Sequence, residues 1–173
     1  MSSKIPDWVA LWLVATSLIC AYDATFVLLR PRTLEGGDLS FIFPGHVYYT
    51  TIDIKYGDME DQFVIAQSIL NLFEIILNVI TLVMHCRSDW RAPVVAFLVQ
   101  AFTFWKTVLY MIQYTPLCNG SHLVEHLDWL KYTALFLGTN GWWIVIPLLS
   151  LWTLWKTLLS AMAPSAGETD KTK

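Results

Sequence analysis

QFVIAQSILNLFEIILNVITLVM, residues 62–84, is apolar throughout except for a set of polar side chains spaced three or four apart, with Glu74 near its middle. At ~1.5 Å per residue such a stretch crosses the ~30 Å of a bilayer's hydrocarbon core. Three further stretches, residues 8–29, 92–114 and 129–155, have the same length and character. Aromatic residues gather near their ends (Trp8, Trp12, Trp90, Tyr114, Trp129, Trp152, Trp155), as an interfacial belt would. The pattern predicts an all-α polytopic membrane protein, a four-transmembrane-helix bundle forming one domain over residues 1–163. A polar, small-residue tail over 164–173 is expected to be disordered.

Composition agrees. The chain is 55% hydrophobic and 14% charged, with a mean hydropathy of +0.50. Soluble domains carry about 25% charged residues. The net charge of −3, with no basic stripe, argues against nucleic acid as a partner. Cys20, Cys86 and Cys118 are far apart and form no ligand-spaced pair, so neither a disulfide framework nor a metal site is expected. The first apolar stretch lacks a basic leader and a small-residue cleavage site, and reads as a retained helix.

The connections differ in kind. Residues 85–91 are so few that the second and third helices must be antiparallel neighbours. Residues 30–61 form an acidic loop with Pro31, Gly36, Gly37, Pro44 and Gly45 as breakers. Its tract Ser40-Phe41-Ile42-Phe43 and the following Val47-Tyr48-Tyr49 are too short to span, and are expected to lie across the membrane surface over one mouth of the bundle. Lys4, Arg87, Arg91, Lys156, Lys171 and Lys173 fall on one side, against Arg30, Arg32, Lys55 and Lys131 on the other. That bias places both termini in the cytoplasm and the loop, with the Asn119-Gly120-Ser121 sequon, in the lumen.

Polar residues within the helices carry the functional signal. An ionisable side chain near mid-membrane costs ~2.5–3.5 kcal/mol even on a lenient insertion scale. Asp23, Glu74 and Lys106 each bear that cost, and Asn140 is a polar companion on the fourth helix. Gln67, Asn71, Glu74 and Asn78 share one helical face; so do Gln100, Thr103, Lys106 or Thr107, Tyr110 and Gln113; and so do Tyr132, Thr139, Asn140 and Trp143. These stripes must turn away from lipid. Counted from the loop side, Asp23 lies ~9 Å deep, Lys106 ~12 Å, and Asn140 and Glu74 ~16–18 Å, so the four converge on one layer. Interhelical hydrogen bonds account for the amides and hydroxyls. The two carboxylates ask for more. Lys106 is either their counter-ion or snorkels toward the lumen.

Four segments at these positions carry a family likeness: Tyr22-Asp23-Ala24-Thr25-Phe26-Val27-Leu28, Leu70-Asn71-Leu72-Phe73-Glu74, Val108-Leu109-Tyr110, and Asn140-Gly141-Trp142-Trp143 followed by Val145-Ile146-Pro147. In order and spacing they resemble the emopamil-binding protein family, also called the EXPERA-domain family, which includes the sterol Δ8–Δ7 isomerase and the sigma-2 receptor. The resemblance implies acids on the first two helices and a ligand cavity opening laterally to lipid. Ile19 stands where the isomerase has a histidine, and Thr107 where it has an acid before its tripeptide.

Double-bond migration in a sterol or terpenoid adds a proton to one carbon and removes one from another. Asp23 and Glu74 suit that division, with Lys106 and Asn140 setting their charge and orientation. Trp143 offers an indole face to a carbocation, and Asn71, Tyr110, Gln67 and Thr107 would line the substrate. No cofactor is needed. The expected function is an intramembrane isomerase or cyclase of sterol-like or terpenoid lipids in the endoplasmic reticulum; the alternative is a sterol-binding or trafficking protein. The bilayer and a hydrophobic small molecule are the expected partners, and a homodimer is a candidate assembly. A proton-coupled transporter ranks last, because the chain has no internal repeat.

Overall fold

The computed structural model of the protein describes residues 4–162. Within them every regular element is helical. Four helices are long and apolar enough to cross a membrane, which is the architecture of an integral membrane four-helix bundle. Helix α1 spans Asp7–Leu28, and two short helices in the following loop are α2, Pro44–Tyr49, and α3, Ile54–Gly57. Helix α4 spans Gln62–Cys86 and α5 spans Ala92–Ile112. A π-helical stretch, Lys131–Leu137, leads into α6, Gly138–Met162.

Helices α4 and α5 begin for local reasons. Asp61 caps α4 by accepting from the Val64 N–H at 2.8 Å. Pro93, in the first turn of α5, supplies a preset φ where a missing N–H costs nothing. The third helix is shorter than its apolar run: it stops at Ile112, and Tyr114 is not a belt residue. Tyr114 is buried, with its hydroxyl 2.7 Å from Asp53. A tyrosine offered a buried carboxylate satisfies its O–H better inside than at the interface. The fourth helix runs seven residues beyond its expected end, because no glycine or proline interrupts the sequence after Trp155 within the described residues. The tail at 164–173 lies outside the described residues.

Helices α1 and α4, α4 and α5, and α5 and α6 pack side by side. Between α1 and α6 there is no such extended contact; their Trp12 and Trp143 rings meet with centroids 5.7 Å apart. At one end Ile5, Val9, Leu13, Ala92, Ala96 and Leu154 seal the bundle. Above that seal Thr16, Asn78 and Gln100 are buried, Asn78 donating to Thr16 and the Trp12 indole N–H to Gln100 at 3.1 Å. The other end is closed by the loop of residues 30–61. Phe43 and Ile52 turn inward against Phe26, Val27, Val64 and Phe136, while Phe41 and Tyr48 face outward.

Arg30 holds that loop. Its guanidinium donates to the carbonyls of Tyr56 and Asp58, both at 2.8 Å, and its Nε to the Val27 carbonyl at 3.0 Å. A planar fork serves several carbonyls at once in a way an ammonium cannot. Arg30→Met should lower stability by about 1.5–3 kcal/mol, read as a fall in the detergent-solubilised melting temperature, since a charged donor is lost and carbonyls are left bare. An unchanged melting temperature would remove Arg30 from the loop's support.

Candidate functional site

Beneath the loop lies a cavity of about 420 Å³. Asp23 on α1, Gln67 and Asn71 on α4, Lys106, Thr107 and Tyr110 on α5, and Asn140 and Trp143 on α6 all line it. Every sequence-predicted site residue except Glu74 is therefore on its wall. Cys20, Gly45, His46, Tyr49, Tyr56 and Val64 complete a wall whose exposed surface is largely apolar, and Ile19 and Thr139, both exposed, lie at its edge between α1 and α6.

Asp23 is the carboxylate that faces the cavity. Its Oδ1 meets the Tyr56 hydroxyl at 3.0 Å and the His46 Nε2 at 3.2 Å, and its Oδ2 accepts from the Asn71 amide at 3.0 Å. Asp23 and His46 are each about one-fifth exposed, so the pair sits at the loop end of the cavity. His46 packs on Phe26, with centroids 4.9 Å apart. Burial pushes the Tyr56 hydroxyl well above its ordinary value, which keeps it a donor.

Asn71 joins the two halves of the site. Its Oδ1 accepts from the Lys106 ammonium, whose next partner is Glu74 Oε2 at 2.7 Å. Lys106 is thus a counter-ion rather than a snorkelling side chain: it is 15% exposed and Glu74 6%. Glu74 lies behind Lys106, with the Cys20 thiol 3.9 Å from its other oxygen. The expected convergence is a bonded chain, Asp23–Asn71–Lys106–Glu74, whose far carboxylate is screened from the cavity by the cation. Gln67 donates to the Lys106 carbonyl at 2.9 Å and so braces the same turn of α5.

Helix α6 brings the fourth side of the wall. Its Asn140 amide donates to the Tyr49 hydroxyl at 3.0 Å and to the Phe136 carbonyl at 2.9 Å, tying the loop to the helix. Pro147 lacks an N–H, so the carbonyl of Trp143 is without its usual helical donor. The π-helical turns before Gly138 change the helix register, a feature found often beside functional sites. Among the described residues no three His, Cys, Asp or Glu side chains gather as metal ligands.

No family model, curated protein or solved structure matches the chain.

Sequence reasoning missed His46, Tyr49 and Tyr56. All three come from the loop, where with Asp53 they fall three and four apart, the spacing of one helical face, interrupted by the turn between two short helices. The available signals were that spacing and the Pro44-Gly45 breaker pair, which starts a short helix with His46 in its first turn, in a segment already expected to cover the bundle.

Proposed function

We propose that the protein is an intramembrane acid–base isomerase or cyclase acting on a sterol-like or terpenoid lipid. The observation that carries this reading is a carboxylate, Asp23, on the wall of a mostly apolar cavity of about 420 Å³ that it shares with an indole, Trp143. In the forward step the Asp23 carboxyl passes its proton to an alkene carbon. A C–H bond forms, the π bond breaks, and a carbocation remains beside a carboxylate. Loss of a proton from a neighbouring carbon to that carboxylate leaves a shifted double bond and restores the acid. In a cyclase the cation is captured instead by a second alkene or a hydroxyl oxygen of the same substrate. No net proton or electron is consumed.

Two features favour a cation in this cavity. A desolvated indole face stabilises one by up to ~2 kcal/mol, which suits Trp143. The Lys106 ammonium would oppose it, but Glu74 at 2.7 Å turns that charge into a neutral pair. Glu74 then serves to hold Lys106 rather than to touch substrate, and Asp23 takes both proton steps, with His46 as its exchange partner. The motif resemblance to the emopamil-binding protein family supports a sterol or terpenoid substrate, and the Lys and Arg bias supports cytoplasmic termini.

One observation favours a second reading. A second carboxylate held off the cavity wall is what a sterol-binding or trafficking protein, without chemistry, would tolerate. Incubating the purified protein with a panel of sterols and cyclisable terpenoids, followed by mass spectrometry and NMR, separates the two. Isomerised or cyclised product is expected; saturable binding of a sterol with every panel member unchanged would establish the binder instead.

A further inference from the structure

Asp53 is a buried carboxylate that the proposed chemistry does not use. It is 0% exposed, yet it lies in the loop, where an acidic residue ordinarily faces water. Its oxygens take bonds from the Tyr114 hydroxyl at 2.7 and 2.8 Å and from the Tyr110 hydroxyl, and it caps α3 by accepting from the Lys55 N–H at 3.2 Å. Tyr114 also lies 2.7 Å from the Tyr110 hydroxyl, so the two phenols and the carboxylate form one closed cluster. Burial pushes the Asp53 carboxyl up, against the bonds from Tyr110 and Tyr114 that pull it down. A buried charge without a bonded cation is expensive, and an apolar residue would fill the same space at lower cost.

What the carboxylate supplies is direction. It ties the start of α3 to the end of α5, and α3 carries Tyr56, three residues on, whose hydroxyl lies 3.0 Å from Asp23. Lys55, between them, reaches Gln113 at 2.8 Å and Asp61 at 3.2 Å, fixing the same turn from its other side. The Asp53 N–H also donates to the Tyr49 carbonyl at 2.8 Å, joining α3 to the last residue of α2. Tyr110 completes the link, since the side chain that binds Asp53 also lines the cavity.

We infer that Asp53 is a positioning residue for the candidate site: latched to Tyr110 and Tyr114, it holds α2 and α3 closed over the cavity, so that His46 and Tyr56 stay on Asp23 and Tyr49 stays on Asn140. The inference rests on the reading of the cavity as the functional site, and its first readout does not depend on turnover. Cys20 is on the cavity wall and buried, whereas Cys86 and Cys118 are exposed and can be replaced by serine. In that background a charged maleimide reports whether the loop admits water-borne reagent to Cys20.

Asp53→Ala and Tyr114→Phe should each raise the rate of Cys20 alkylation by about 10- to 100-fold, the effect of losing a hydrogen bond to a charged group on a local opening equilibrium. Asp53→Asn keeps one acceptor oxygen and should fall between them and the parent. Leu154→Ala, in the apolar seal at the opposite end, serves as a control of matched thermal destabilisation and should leave Cys20 at the parental rate. On a converted substrate, Asp53→Ala should lower kcat in the parent, and by a smaller factor when Tyr56→Phe and His46→Gln are already present.

Parental protection of Cys20 in both folded Asp53→Ala and Tyr114→Phe would overturn the latch, as would equal labelling in Leu154→Ala. Rapid labelling of Asp53→Ala in a protein that converts no lipid would sustain the latch and reject the acid–base reading. If Asp53→Ala does not fold, Tyr114→Phe decides alone.

Discussion

Asp23→Asn is expected to lower turnover by a factor of about 10²–10⁴, the range that a positioned acid or base contributes, while the protein stays folded and still binds lipid. Asparagine has nearly the shape of aspartate and retains one oxygen for the donors around it, but it cannot exchange a proton with an alkene. The three side chains that meet the carboxylate, Tyr56, His46 and Asn71, come from three different segments. Replacing the carboxyl by an amide should therefore leave the wall in place. The measurement is kcat and KM on a converted substrate, with a melting curve on the same preparation. A folded Asp23→Asn with parental kcat would take Asp23 out of the chemistry.

Lys106→Met should be the most destabilising single change in the site. It leaves Glu74, 6% exposed, with no cation, and breaking a buried pair in this way costs about 3–5 kcal/mol. Methionine fills much of the same volume, so the loss is electrostatic rather than a cavity. Adding Glu74→Gln removes the stranded charge, and the double variant should recover most of the stability, because a buried pair replaced whole is often nearly neutral. Denaturation of the parent, the two single variants and the double variant gives the coupling directly. Additive losses would show that the two side chains do not act as a pair.

The helices were legible because their signal repeats. Apolar stretches of membrane length declare themselves, and within α4 the three- and four-residue spacing of Asn71, Glu74 and Asn78 named the buried face. The same spacing on α5 found Gln100, Thr103, Thr107 and Tyr110. Depth along each helix brought Asp23, Lys106 and Glu74 to one layer, but it could not order them radially. Which side chain stands in front of which depends on where helix axes lie, and so Glu74 was expected on the wall that Lys106 occupies.

The loop was illegible for a different reason. Its inward residues, His46, Tyr49, Asp53 and Tyr56, are spaced three and four apart as on one helical face, but the stripe is polar and is split between two short helices, so it reads as solvated loop. Asp53 in particular looks like part of an acidic, solvated surface until the tyrosines of α5 are seen to meet it. Tyr114 misled in the complementary way: an aromatic residue at the end of a membrane helix resembles a belt residue, and its partner is distant in sequence.

The most direct test of acid–base chemistry at Asp23 is to run the reaction in heavy water and locate the deuterium. If Asp23 delivers the proton to carbon and regains it from solvent at the His46 end of the site, product from the parent should carry one carbon-bound deuterium at the protonated position. Asp23→Asn should yield product, if any, at a rate too low to label measurably in the same time. Product formed by the parent without carbon-bound deuterium, under conditions where His46 and solvent exchange freely, would contradict proton transfer from Asp23 as the source of the new C–H bond.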